Sequence, residues 1–279
     1  MTDVRSPDGV HRIRLTPARN AFSPRRRARA ADVWRLFQEL AVEGSTQAGW
    51  SPERYHATDS GFLVRRMSVV HDREITYGEA LDGRTWVSAL RRDMFCTRQV
   101  RLESGGGSVA RGTQQWVHVG PGLAPSRASA ELRDAFPILE LEPSVELPAY
   151  APIEPPGAPI ARFEFDAWHT WMDPLDHVNH PAYVDFVDEA TSRVMARAGL
   201  DPVLLRPVAE EATYRAGVRA GDRVLVESEV IGATRSGAVA LAHRILVDGR
   251  RCAELTTWRA LEEASPTRLL EAFRGSEEA

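Results

Sequence analysis

The sequence repeats itself at long range, and this limits the possible folds more than any other feature. Ala48-Gly49-Trp50-Ser51-Pro52 returns 150 residues further on as Ala198-Gly199-Leu200-Asp201-Pro202. At the same spacing Gln38-Glu39-Leu40-Ala41 faces Asp188-Glu189-Ala190-Thr191, and alternating Ile13 and Leu15 face Phe163 and Phe165. Later the spacing shortens: Gly83 aligns with Gly221 and Trp116 with Trp258, as loops of unequal length require. A length of 279 residues fits one large domain or two small ones, and the repeat selects two.

Each copy carries the same order of elements. A short alternating strand opens it, at 11–16 and again at 162–166, and an irregular loop follows. A helix comes next. Val33, Leu36, Phe37, Leu40 and Ala41 recur at the spacing of one helical face, as do Tyr183, Phe186, Val187, Ala190 and Val194. Pro181 suits the first turn of the second helix, where its missing N–H costs nothing. The helices stop near Gly44 or Gly49 and near Gly199. Strand-like runs follow: Phe62–Val70, Trp86–Arg92, Phe95–Glu103 and Val109–Val119 in the first copy. In the second they are Thr213–Val218, Arg223–Ile231, Val239–Val247 and Arg251–Leu261. Gly105-Gly106-Gly107 and Asp248-Gly249 join the last pairs as hairpin turns. One helix covers one face of such a sheet, so the sheet curls round it and leaves its other face to a second copy.

Between the copies, residues 121–160 hold nine of the 18 prolines and little periodicity, which marks a connector with a short helix at 126–136. Beyond Glu262, Leu269, Leu270 and Phe273 form one apolar helix face. All 35 basic residues are arginine, so Schiff-base and phosphate-loop lysines are excluded. Apolar residues at 43% supply a core, and the net charge of −4 argues against a nucleic-acid partner. Cys96 and Cys252 lie far apart in strand-like runs and read as buried, reduced thiols. The opening MTDVRSPDGVHR lacks the apolar stretch of a leader, and no run approaches the length of a membrane span. A cytoplasmic protein is expected.

Strand, loop, central helix and curled antiparallel sheet, given twice, resemble the double hot-dog fold. LFQELA, AGW, RRMSVVHDREITYGEALDGRTWVSALRRDMF, QQWVHV and ELRDAFP resemble the plant and bacterial acyl-acyl-carrier-protein thioesterases. WMDPLDHVNHPAYVDFVDEA, TYRAGVRAGD and LTTWRAL are similar to the carboxy-terminal catalytic hot-dog of that family and to the wider 4-hydroxybenzoyl-CoA-thioesterase-like group. The likeness spans residues 10–262. It implies an α+β tandem hot-dog, each half a curled antiparallel sheet wrapped around a central helix. Residues 1–120 would form an amino-terminal hot-dog holding the acyl pocket and no catalytic loop, and 121–160 the connector. Residues 161–262 would form the catalytic hot-dog and 263–279 a tail with a short helix. The activity implied is hydrolysis of fatty acyl or polyketide-like thioesters of acyl carrier protein or CoA, without cofactor or metal. The alternative is a non-catalytic acyl-thioester binding or sensing protein. A monomer suffices, since two fused halves give each other the packing that single hot-dogs gain by dimerising; a homodimer is also open.

The chemistry concentrates in Asp173-Pro174-Leu175-Asp176-His177-Val178-Asn179-His180-Pro181. Thioester hydrolysis needs an activated water or carboxylate and a polarised carbonyl. Asp173 serves as nucleophile or as general base. A helix starting near Pro181 turns its N–H groups and positive dipole end toward a developing oxyanion. His177 and Asn179 orient carboxylate, water or carbonyl; the bland reading is that Asn179 or His180 only caps the helix. In the resembled thioesterases Asp, Asn and His alternate here, so Asp173 and His177 carry over, while Leu175 replaces the asparagine. A further acidic or thiol position falls on Gly217 and Val218. These departures favour an aspartate-centred mechanism. His169, Asp173, His177 and His180 also suggest metal ligands, but Pro174 and Pro181 break the helix that would gather them.

Moved back by 150 residues, Asp173, His177 and Asn179 fall on Ser23, Arg27 and Arg29. One loop is acidic and imidazole-bearing, its equivalent wholly basic, so one active site per chain is expected. Arg25, Arg26, Arg27 and Arg29 either form a solvated helix entry or meet the phosphate of pantetheine, the CoA nucleotide or an acidic carrier. Tyr183 is a candidate substrate-binding residue. Glu39 on the first helix is the rival catalyst, and Tyr77 and Trp86 line an acyl pocket or simply pack.

Overall fold

The computed structural model describes residues 8–153, 160–262 and 266–275. The amino-terminal stretch read for a leader lies largely outside the described residues, as do 154–159 of the connector and both ends of the tail. The chain divides into two compact units. The first is Met1–Ala21 with Asp32–Glu146, the second Phe22–Ala31 with Leu147–Ala279. The proline-rich connector is thus shared, its first part packing into the first unit.

In the first unit, β1 (His11–Leu15), β2 (Gly61–His71), β3 (Leu81–Arg91), β4 (Phe95–Ser104) and β5 (Gly107–Val119) form an antiparallel sheet in the order β1-β3-β4-β5-β2. α1 (Ala30–Gln47) lies across it, burying Val33, Trp34, Phe37, Leu40 and Ala41. Large side chains so buried contribute about 1.5–3 kcal/mol each. The sheet makes room for them with two glycines. A Cβ at Gly83 would sit 2.3 Å from Leu40 Cδ2, and one at Gly112 would sit 2.8 Å from Phe37 Cε2. Gly44 is inside α1, close against Thr85 and Arg98, and the helix instead ends before Gly49 at φ +85°. Gly49 N–H bonds Thr46 O and Trp50 N–H bonds Ser45 O, the paired bonds of a left-handed helix stop. A short helix, α2 (Pro52–Ala57), follows, and α3 (Ala130–Asp134) forms within the span expected for it. The connector then runs along the sheet: Leu139 N–H bonds Val87 O, and Glu142 pairs with Arg101 at 2.7 Å.

The second unit repeats this plan. β6 (Ala151–Pro152) and β7 (Ala161–Asp166) both pair with β9 (Arg223–Ala233). β8 (Leu205–Tyr214), β11 (Arg250–Leu261), β10 (Val239–Val247) and β9 follow in that order across the sheet. α4 (Ala182–Arg197) buries Tyr183, Val184, Phe186, Val187, Ala190, Val194 and Met195, and Gly199 stops it at φ +70° with the same bond pair as Gly49. α5 (Pro266–Arg274) turns Leu269 and Phe273 into the core beside Val194 and Met195.

Two details differ from the sequence reading. The strand expected at Thr213–Val218 is β8, which runs earlier, from Leu205 to Tyr214. Arg206, Pro207, Glu210 and Glu211 hide its alternation, and buried Glu210 is tolerated because Arg259 on β11 pairs with it. Gly83 is not the counterpart of Gly221 either. It stands opposite Ile13 within β3, whereas Val226 stands opposite Phe163 and Gly221 sits in the turn before β9.

Candidate active site

The peptide between β7 and α4 is short of regular structure but tightly bonded. Met172 and Val178 form a single antiparallel bridge, closed by a turn in which Asp173 N–H donates to His177 O at 2.9 Å. Pro174 presets the turn and Asp176 takes φ +59°. This folds Asp173 back on His177: carboxylate Oδ2 and imidazole Nδ1 are 3.3 Å apart, with the two side chains only 12% and 22% exposed. Oδ1 accepts the Leu175 N–H at 2.8 Å. Burial pushes the Asp173 pKa up, against the opposing pull of His177 and the backbone N–H groups of Leu175 and His177.

The rest of the second unit fixes this loop. Val218 O accepts the Val178 N–H at 2.8 Å, and Val218 N–H donates to the Tyr183 hydroxyl at 3.0 Å. The Tyr214 hydroxyl donates to His180 O at 2.9 Å. Tyr183 therefore ties α4 to the loop after β8, and burial drives its phenol well above the ordinary value. Gly217 leaves room for the imidazole, since a Cβ there would approach His177 Cβ to 3.0 Å. The sequence marks Gly217 and Val218 only as the place of a further acidic or thiol position, and Tyr214 only within the TYRAGV string.

Asn179 and His180 do not cap α4: no side chain caps the helix start at Pro181. Asn179 N–H donates to Trp171 O, and its Oδ1 is buried without a donor among the described residues. Burial pushes His180 down to about 3, with His177 adding to the effect, so its ring is neutral. The expected row of open N–H groups is otherwise engaged. Ala182, Tyr183 and Val184 donate to the carbonyls of Asn179, His180 and Pro181. What α4 still directs at the loop is its dipole, about half a positive charge.

Arg25, Arg26, Arg27 and Arg29 fall in the loop Phe22–Ala28 and just after it, within the second unit. Arg25 pairs with Glu262, while Arg26 and Arg29 are exposed. Glu39 is exposed on α1 in the first unit. Trp86 is fully buried and Tyr77 largely exposed. Cys96 and Cys252 are buried thiols. Among the described residues no three His, Cys, Asp or Glu side chains gather as a metal site, and no helix is long and apolar enough to cross a membrane.

A long helix covered by its own antiparallel sheet, made twice in one chain, is the tandem hot-dog architecture, and comparison with known proteins agrees. Residues 22–122 match the acyl-ACP thioesterase N-terminal domain, and residues 167–260 the thioesterase-like superfamily. A structure assigned as an oleoyl thioesterase from Lactobacillus plantarum superposes with a TM-score of 0.76 at 17% identity, covering 91% of this chain and 97% of that one. An acyl-ACP thioesterase from Bacteroides thetaiotaomicron gives 0.71 at 12% identity, with 93% and 100% covered. The 12:0-ACP thioesterase from Umbellularia californica gives 0.70 at 17% identity, with 91% and 98% covered. At such identities these likenesses carry the fold. No curated protein sequence gives a significant match. The first part of the chain is thus similar to the acyl-ACP thioesterase family and the second to the thioesterase-like superfamily, and the chain is a thioester hydrolase.

Proposed function

We propose that this thioesterase releases fatty acids from acyl carrier protein, with Asp173 as the general base that activates water. The observation that carries this reading is the half-buried Asp173–His177 pair at the start of α4. One carboxylate oxygen is held by the Leu175 N–H. The other faces His177, so the carboxylate is oriented without being fully neutralised. Its raised pKa makes it a stronger base than a solvated aspartate. The proton taken from water stays on the Asp173–His177 pair until the departing thiolate receives it. The Asn179 side-chain N–H donates to the thioester carbonyl and polarises it together with the α4 dipole.

The carrier end of the substrate meets the basic loop, where Arg25, Arg26, Arg27 and Arg29 attract the pantetheine phosphate and the acidic carrier. A CoA thioester or a polyketide-like acyl group satisfies the same chemistry, and relative kcat/KM values rank these substrates.

The test is thiol release from acyl carrier and acyl-CoA substrates by the intact chain and by Asp173→Ala. Unchanged turnover in the variant would reject Asp173 and turn attention to Glu39. The 3.3 Å contact at Nδ1 supports a second reading, in which Asp173 only orients His177 and Nε2 is the base. Asp173→Asn would then retain more turnover than His177→Ala; the reverse order favours Asp173.

A further inference from the structure

Arg98 on β4 is buried, 4% exposed, against the carboxyl end of α1. Its Nη1 lies 3.4 Å from Thr85 Oγ1 and its Nη2 3.4 Å from Ser45 Oγ, the far limit for hydrogen bonds. No carboxylate among the described residues answers its charge. The ionisable groups that act on it are the Cys96 thiol and the Tyr55 phenol, and burial lowers its pKa. The guanidinium nevertheless stays charged at neutral pH. Among the described residues the two other buried arginines are different: Arg101 pairs with Glu142, and Arg259 with Asp188 and Glu210.

The surroundings offer further donors and few acceptors. Trp50 Nε1 and the Tyr55 hydroxyl are buried without a hydrogen bond of good geometry, and their rings are 5.3 Å apart. Ser45 sits beside the phenol and draws its pKa down, while burial drives it up to about 12. His11 Nδ1 is also buried without a partner among the described residues, and as an imidazole nitrogen it can donate or accept. The Phe136 ring centre is 5.4 Å from the guanidinium carbon, and Val87 and Leu132 belong to the same apolar cluster. The α1 dipole offsets part of the positive charge, but the Gly44 and Ser45 carbonyls already accept the Ala48 and Trp50 N–H groups. A desolvated cation without a paired acid, set beside two unpaired donors, is suited to receive an anion.

We propose that the interior of the first unit binds the carboxylate of an apolar acid, with Arg98 as its cation and Trp50 Nε1 and the Tyr55 hydroxyl as added donors. A single guanidinium matches a single negative charge, whereas a phosphate dianion would stay half unpaired in this apolar setting. The ligand this chemistry fits is a free fatty acid.

Decanoate and 1-decanol share a chain and differ in charge, so calorimetric titration of the intact protein with each isolates the site. Decanoate is expected to bind about tenfold tighter than decanol, a gap that Arg98→Met removes and Asp173→Ala leaves in place. Equal affinities in the unmodified protein, or a preference that survives Arg98→Met, would overturn the proposal. If Arg98→Met does not fold, Tyr55→Phe and Trp50→Phe serve instead. Each should weaken decanoate about threefold without affecting decanol, and no change in either counts against the site. Binding by the Asp173→Ala chain separates this result from any failure of the hydrolytic reading.

Discussion

Phe22–Ala28 and Met172–Val178 are two loops with one backbone and opposite chemistries. Phe22 bridges Ala28 as Met172 bridges Val178. Ser23 N–H reaches Arg27 O at 2.8 Å, where Asp173 N–H reaches His177 O at 2.9 Å, and Arg26 and Asp176 share φ +59°. Pro24 and Pro174 occupy the same turn position. The backbone bonds close the loop in both copies, so it asks little of the side chains beyond tolerance of one left-handed residue. That freedom lets one copy carry Asp, His and Asn where the other carries Ser and arginines. Equal geometry with unequal chemistry argues that function here resides in side chains placed on a shared frame.

The comparison can be broken at its strongest point first. Asp173→Ala is expected to lower turnover about 10²–10⁴-fold, while Ser23→Ala at the matching position changes it less than about twofold. Comparable losses in thiol-release assays would mean that both loops catalyse. Next, reversing Arg25, Arg26, Arg27 and Arg29 to glutamate should raise KM for carrier-bound substrate about tenfold, most strongly at low salt, with kcat on a small thioester unchanged. A salt-independent KM would remove the electrostatic role.

A subtler contrast concerns pH. Asp173 is held above the ordinary aspartate value by burial, so activity that needs its carboxylate fails as pH falls through that raised value. Replacing the imidazole with His177→Gln takes away a lowering influence on Asp173, and the acid limb should move to higher pH. The same shift has a stability side. A carboxyl whose folded pKa exceeds its unfolded one costs stability as pH rises through both, so Asp173→Asn should raise Tm at neutral pH by about 2 °C. An unmoved limb in the histidine variant would uncouple the pair. The smallest effect tests the shared backbone itself. Arg26→Gly and Asp176→Gly should each change stability by about 0.5–1 kcal/mol, in the same direction, by relieving the left-handed strain. Unequal responses in urea titrations would show that the two loops only look alike.

Much of this frame was legible because it is local and periodic. The helices, the opening strands and the glycine stops recur at fixed spacing, and Asp173 and His177 meet across a turn that Pro174 and Asp176 prescribe. Long-range compensation was not legible. β8 was misplaced because buried Glu210 looks like a surface residue until Arg259, distant in sequence, pairs with it. Trp34 lies outside the spacing that marked α1's apolar face, yet it is fully buried. The residues that hold the candidate site, Tyr214 and Val218, act through a hydroxyl and a backbone group, which no side-chain pattern advertises. Arg98 stands out only once the lack of a paired acid around it can be seen.

The arginine loop also sets an order for making the protein. Phe22–Ala31 belongs with the second unit, yet residues 32 to 146 are synthesised before the rest of that unit exists. The segment emerges early and must wait, unpaired with Glu262, while the first unit is completed around the chain on either side of it. Halves produced as separate polypeptides cut after Glu146 would leave the second without part of its own unit. The gene can be divided there more easily than the folded molecule.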